Sequence, residues 1–165
     1  VAIDRILAAN PDTPLPDWLA APAGVRLRCA PGGRHAAAAA ALLAGRYWTE
    51  GESPAALTAA HAASPGWLGA EEAASGELVA TGRVLGDGLR VAWLLDIVVR
   101  EDWQGRGLGS ALLRLLLDHP LARRARAVRL RTRDAVDFYR PFGFQPLAAD
   151  AFPTYERQLE PGPAE

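Results

Sequence analysis

The chain has 165 residues, 50% of them hydrophobic, and carries 18 Lys+Arg against 19 Asp+Glu for a formal net charge of −1. That size and apolar share suffice for one compact domain with a full core, and the near-neutral balance excludes the broad basic footprint of a nucleic-acid binder. Cys29 is the single cysteine, which excludes a disulfide framework and a thiol cluster for a metal.

Residues 1–24 start with a short amphipathic stretch (Ile3, Ile6, Leu7) and continue through Pro11, Pro14, Pro16 and Pro22, which cannot sustain a helix. They are expected to form an arm before a domain spanning 25–160, with 161–165 as a tail. Val25–Cys29 alternates apolar and charged residues and stops at Pro31, Gly32 and Gly33, so it predicts a strand with one buried face, Cys29 being a small buried residue. His35–Ala44, nearly all Ala and Leu, predicts a helix, and Ser53–His61 a second, with Ser53 as N-cap and Pro54 at its first position.

Trp67–Ala70, Glu77–Leu85 and Val91–Val99 read as strands, the last two joined by a hairpin turn at Gly86, Asp87 and Gly88. From Leu108 the chain is apolar almost all round, with a thin polar stripe of Ser110, Arg114 and Asp118, as expected of a helix buried against a sheet. Val128–Arg131 reads as a further strand and Thr154–Leu159 as a final edge strand. The order of elements predicts a mixed α/β sandwich.

The most informative stretch is Gln104–Ser110, which leaves the strand Val91–Val99 and opens the helix at Leu108. Gly105, Gly107 and Gly109 allow the backbone to turn several N–H groups toward one point at a helix N-terminus, an arrangement suited to a pyrophosphate. A dinucleotide fingerprint fails at its third glycine, since Ser110 or Leu112 occupies that slot. A nucleoside-triphosphate loop needs a Lys, and every cation of this chain is Arg.

The residues match Gln/Arg-x-x-Gly-x-Gly/Ala, and this run resembles the coenzyme A loop of the GNAT superfamily of N-acetyltransferases. Thr132–Phe144 is similar to that family's closing block Asn-x-x-Ala-x-x-x-Tyr-x-x-x-Gly-Phe, with Thr132 where Asn is usual. The resemblance covers roughly residues 25–159. More loosely, Arg46–Ser53 followed by a helix resembles a bacterial branch of the superfamily with unknown substrates. It implies a GNAT-like fold, with a mixed, mostly antiparallel sheet flanked by helices on both faces. It also implies an acetyl-coenzyme A-dependent N-acetyltransferase. The amides of Gln104, Gly105, Arg106, Gly107, Leu108, Gly109 and Ser110 would hold the pyrophosphate, and Ile97, Val98 and Val99 would pair with the pantetheine arm, with Thr132 also on the cofactor.

Tyr139 is the resemblance's candidate general acid: a phenol of pKa roughly 10 stays protonated at neutral pH and can donate to a departing thiolate. Packing beside Phe138 and Phe142 is the alternative use of that ring. Asp96 interrupts an apolar strand on the face of Ala92, Leu94 and Val98, where burial is expected to raise its pKa and suit it to accept a proton, unless backbone N–H groups satisfy it at a sheet irregularity. Tyr47, Trp48, Glu50, Glu52 and Trp93 offer aromatic walls and carboxylates suited to an amine. Tyr47 and Trp48 serve equally as caps on the core. His35, His61 and His119 lack ligand spacing, so no metal is expected and each reads as structural or surface.

The basic cluster Arg123, Arg124, Arg126, Arg129, Arg131 and Arg133 reads either as a solvated face or as a patch for the coenzyme's 3′-phosphate. The expected reaction is direct transfer of acetyl to a small-molecule or peptide amine in a ternary complex. A coenzyme A-binding sensor without turnover is the competing expectation. A cytoplasmic location, a monomer or homodimer, and neither nucleic acid nor membrane as partner complete it.

Overall fold

A computed structural model of the chain describes residues 23–29, 31 and 33–147. Most of the expected arm, the expected strand Thr154–Leu159 and the tail lie outside these residues. The chain divides between Arg131 and Thr132 into two compact units.

The first unit is built on strands β1 (Val25–Arg28), β2 (Gly66–Glu72), β3 (Leu78–Gly86), β4 (Val91–Val99) and β5 (Ala127–Arg129), in the spatial order of the sequence. The first three pairings are antiparallel and β4 with β5 is parallel, the mixed and mostly antiparallel sheet expected. The hairpin between β3 and β4 is wider than a two-residue turn. Asp87 supports it by accepting the N–H groups of Leu89, Arg90 and Val91.

Helix α1 (Gly33–Leu43) buries Ala36, Ala39, Ala40 and Leu43, a single face at helical spacing. Helix α2 (Pro54–Ala62) starts as its sequence dictates: Ser53 Oγ accepts the Ala56 N–H at 3.1 Å, with Pro54 at the first position. Both lie on one face of the sheet, where Ala40, Leu43 and Leu57 meet Val98, and Ala39 meets Trp67 and Leu78. Helix α3 (Leu108–Asp118) covers the other face with Leu108, Ala111, Leu112, Leu113, Leu115 and Leu116 buried, and α4 (Pro120–Arg123) follows, its N-terminus capped by His119.

Two carboxylates lie on the α1 and α2 face, Glu71 buried and Asp96 partly buried. Glu71 is 1% exposed and accepts from Arg28, Arg34 and His35 at 2.5, 2.7 and 2.7 Å. Burial alone would raise its pKa, but the bonds from Arg28 and His35 outweigh that and hold it below the ordinary carboxylate value. Cys29, expected buried, is half-buried just beyond β1, and burial pushes its thiol up to about 11.

The second unit contains α5 (Val136–Tyr139) and a 3-10 turn, Arg140–Phe142, ended by Gly143 at φ 83°. Thr132 Oγ1 accepts the Ala135 N–H at 3.0 Å and so supports the turn before α5, a local bond that an Asn side chain can also make. Tyr139 packs edge-on against Phe138 at 4.9 Å and Phe144 at 5.8 Å.

Close approach fixes Gly66 at the head of β2, where an added Cβ would lie 2.5 Å from Val84 Cγ1 and 2.6 Å from the Val84 carbonyl oxygen. The strands cannot separate without breaking their ladder, so Gly66→Ala should cost about 1–3 kcal/mol in urea unfolding. Gly33→Ala, at a site with nothing within 4 Å, should be neutral or stabilising, and equal losses for the two would refute the packing argument.

Candidate functional site

From the end of β4 the chain makes a 3-10 turn, Glu101–Trp103, and Gln104 reaches back to donate its side-chain amide to the Val99 carbonyl at 3.0 Å. Gly105 and Gly107 follow at φ 71° and 81°, the second serving as N-cap of α3. An added Cβ at either would meet nothing within 4 Å, so these glycines answer to the backbone dihedral and not to crowding. Among the described residues the amides of Gly105, Arg106 and Gly107 meet no backbone acceptor, and the first turn of α3 adds its own orphan donors. Gly109 lies within that first turn, beside Leu108 and Ser110. The Arg106 guanidinium stands 4.9 Å from the Trp103 ring centroid, which holds a cation beside the loop. Open amides, a helix N-terminus and a nearby cation make an anion cradle.

Beside this cradle the sheet opens. β5 pairs only with Val91, Ala92 and Trp93, so from Leu94 to Val99 the second edge of β4 has no strand partner among the described residues. Ile97, Val98 and Val99 lie on that open stretch and can offer backbone groups to an extended ligand.

Asp96 lies at a break in the ladder. Thr81 opposes Val98 and Arg83 opposes Leu95, leaving Asp96 and Ile97 facing Gly82 alone, and Asp96 takes the left-handed φ of 54°. The strand alternation therefore fails here. Asp96 points with Arg83 and His61 toward α2 and shares that side with Val98, whereas Leu94 pairs with Val84 on the α3 side. Its acid is satisfied by side chains: Arg83 Nε and Nη2 donate to Oδ2 at 2.8 and 2.6 Å. Arg83 Nη1 is tied to the Ala60 carbonyl at 3.1 Å.

His61 is fully buried, and its Nδ1 accepts the Trp67 indole N–H at 3.0 Å. Because that indole can only donate, the neutral imidazole carries its proton on Nε2, 3.4 Å from Asp96 Oδ2 and short of hydrogen-bond geometry. The expected rise in the Asp96 pKa is reversed. Burial pushes it up, but the neighbouring His61 and the Arg83 cation together bring it below the ordinary value.

The remaining expected residues are spread. Tyr47 and Trp48 stack edge-on at 4.9 Å in the 3-10 turn after α1, with Trp48 41% exposed and Glu50 exposed beside them. Trp93 lies on β4 under Arg129 and lines a different wall from that turn. His35, His61 and His119 all serve hydrogen-bond networks. Among the described residues no group of His, Cys, Asp and Glu side chains could hold a metal ion, and no helix is long and apolar enough to cross a membrane. Sequence reading missed Arg83. The available signal was a lone cation in the apolar strand next to a lone acid.

A mixed α/β sheet with an anion-suited loop beside an open strand edge is the class of fold to which the site belongs. A model of the acetyltransferase (GNAT) family matches residues 36–144, more than half of the chain, and the chain belongs to that family. Its enzyme class is that of the N-acetyltransferases, and the family's general acyl donor is acetyl-coenzyme A.

Among solved structures, a protein assigned to the GNAT family from Xanthomonas campestris pv. campestris is 25% identical with a TM-score of 0.68, covering 80% of this chain and 93% of its own. A Staphylococcus aureus protein of unknown function is 21% identical with a TM-score of 0.65, covering 81% and 99%. Glucosamine-6-phosphate N-acetyltransferase from Arabidopsis thaliana is 19% identical with a TM-score of 0.59, covering 80% and 99%. The last two likenesses are of fold. No curated protein matches the chain.

Asp96→Asn tests the buried pair, since Asn keeps the shape and tolerates the left-handed φ. A carboxylate whose folded pKa is lowered adds stability above its unfolded pKa of roughly 3.9, and that stability is lost as pH falls through the folded value. The wild type should lose stability below about pH 4 more steeply than the variant. At pH 7 the variant should be weaker by about 1–3 kcal/mol, because the partly buried Arg83 loses its counter-charge while keeping its bond to the Ala60 carbonyl. Parallel acid-unfolding curves would contradict the assignment.

Proposed function

We propose that the protein transfers acetyl from acetyl-coenzyme A to a primary amine of a small molecule or peptide, by direct attack in a ternary complex. The observation that carries this reading is the unpaired edge of β4 at Ile97–Val99 leading into the free amides of Gly105–Gly107. The amides from Gly105 to Ser110 bind the pyrophosphate, the expected Gln104 amide being already held by the Glu101 carbonyl at 3.2 Å, and the β4 edge aligns the pantetheine arm so that the thioester is held for attack. Thr132 is assigned to the same cofactor site on its place in the closing motif.

The amine nitrogen bonds to the thioester carbonyl carbon, the carbon–sulfur bond breaks, and the departing thiolate takes the phenol proton of Tyr139. That role rests on the motif Thr132–Phe144. An Asp96 held ionised by Arg83 and His61 is a weak proton acceptor for an ammonium of pKa roughly 10. We therefore give it an orienting part: its Oδ1, which takes no partner among the described residues, attracts the ammonium while water carries the proton away. Tyr47, Trp48, Glu50 and Trp93 are proposed as acceptor contacts, with aromatic faces and a carboxylate suited to an amine.

Coenzyme A should raise the melting temperature, with stabilisation of roughly 2.7 kcal/mol at about a hundredfold excess over its dissociation constant. Gly107→Val places a β-branched residue at φ 81° and should abolish that shift in a protein that still folds. Unchanged binding would remove the loop from the site.

Tyr139→Phe keeps the ring and its packing on Phe138 and Phe144 but deletes the proton. Turnover, followed as thiol release with a saturating amine, should fall by roughly 10²–10⁴ with little change in coenzyme affinity. Equal rates would assign the proton to water. Binding without thiol release across a broad amine panel would favour a non-catalytic coenzyme A sensor.

A further inference from the structure

The chain carries a second place built for an anion, at the other end of β4. A cavity of about 520 Å³ is lined by Arg90, Val91, Trp93, Arg126, Ala127 and Arg129, with Asp87 at its side. Its walls are pinned by backbone bonds: Arg126 N–H donates to the Leu89 carbonyl at 3.0 Å and Ala127 N–H to the Arg90 carbonyl at 3.1 Å, continuing into the parallel pairing of Val91 with Ala127. The three guanidinium groups form no ion pair with any described residue. Arg129 lies over the Trp93 ring at 5.9 Å, which sets its charge beside an aromatic wall.

The one carboxylate nearby, Asp87, carries a single negative charge that acts on Arg90 and leaves the cluster positive. Asp87 spends Oδ1 on the N–H groups of Leu89, Arg90 and Val91 at 2.9, 2.7 and 3.2 Å, an arrangement that turns it to the backbone of the hairpin. The cavity therefore has three forked donors of positive charge against one committed acid, in a volume that suits a small molecule.

This cavity is not the coenzyme's 3′-phosphate pocket. Val91–Trp93 is the first third of β4 and the glycine loop follows its last residue, so at about 3.3 Å per residue the two lie roughly 25 Å apart along the strand. α3 runs back from the loop, and Arg126 and Arg129 enter only after it. A 3′-phosphate stands one ribose from the pyrophosphate and cannot span that distance. For Arg126 and Arg129 the alternative of a 3′-phosphate contact is thereby set aside.

We propose that Arg90, Arg126 and Arg129, with Trp93 as a wall, form a binding site for a phosphoryl-bearing small molecule, distinct from the coenzyme loop. Planar guanidinium groups take phosphate oxygens two at a time, and several converging on one cavity favour a phosphate monoester or diphosphate over a single carboxylate. The phosphoryl group has two sources: the acceptor amine's own phosphate, or a separate effector.

The test compares wild type with Arg90→Gln/Arg126→Gln/Arg129→Gln, by calorimetric titration of pyrophosphate with coenzyme A at saturation. The wild type should bind pyrophosphate and the triple variant should bind at least roughly tenfold more weakly, with coenzyme A affinity and melting temperature retained as evidence of folding. Wild-type affinity should drop as salt rises. Equal pyrophosphate affinity in both proteins, or none in the wild type, overturns the site. Thiol-release kinetics then distinguish the sources. If the phosphate belongs to the acceptor, the variant raises KM for phosphorylated amines alone, and pyrophosphate competes with them. If it belongs to an effector, pyrophosphate binds without competing.

Discussion

One residue in a left-handed conformation governs the half of β4 that faces the chemistry. Had the alternation of Trp93, Leu94 and Leu95 continued, Asp96 would point into α3, an apolar helix with no partner for a carboxylate. At φ 54° it points instead toward Arg83 and His61. The slip then sets every later residue: Ile97 comes within reach of Gly82 and α3, and Val98 joins Ala40, Leu43 and Leu57 on the other face. Gly82 completes the arrangement, since a Cβ there would lie 2.8 Å from Leu116 Cδ1 and 3.2 Å from Ile97 Cγ1. A bulge also adds local twist, and β5 stays with β4 only before that point. The same irregularity that satisfies a buried acid thus coincides with the open edge beside the glycine loop.

The α1 and α2 face carries more buried charge than an apolar sandwich needs. Glu71 and Asp96 are each held by arginine, and the two groups are linked through His61, the Trp67 indole bonded to it, and His35 stacked on Trp67 at 6.0 Å. Each member limits its neighbour: the indole fixes the tautomer of His61, which directs its Nε2–H to the Asp96 side. Such a network adds little net stability over apolar packing, yet it penalises any register in which one partner is missing. Helices rich in Ala have few distinctive shapes with which to select a position on a sheet, and the paired charges supply that selection.

Most of the architecture was legible because its signals are local. β4 begins and ends where its apolar run does, and Ser53 with Pro54 marks the start of α2. The glycine loop was legible for the same reason, its strand, turn and helix being contiguous. What escaped were relations between segments. The direction of Asp96 depends on a slip against β3 that no period-two pattern contains, and its pKa depends on Arg83, thirteen residues away in sequence. Glu71 looked like the boundary of a strand, whereas β2 runs through it because Arg28, Arg34 and His35 make its burial tolerable. The basic run after α3 reads in sequence as either a solvated face or a patch for the coenzyme's 3′-phosphate, and only the crossover shows that Arg126 and Arg129 lie at the far end of the strand.

The two anion-suited places at the ends of β4 differ in the kind of charge they use, and this bears on what each can select. The loop relies mainly on backbone amides and a helix terminus, which are fixed dipoles, with Arg106 as its one full charge, and Gly105 and Gly107 leave open space where side chains would stand. Such a cradle matches the shape of a diphosphate and discriminates by the approach of the backbone. The Arg90, Arg126 and Arg129 cavity offers full charges on long side chains, with only Arg129 restrained by a ring. It selects by charge and by pairs of oxygens, and it tolerates variation in the remainder of the ligand.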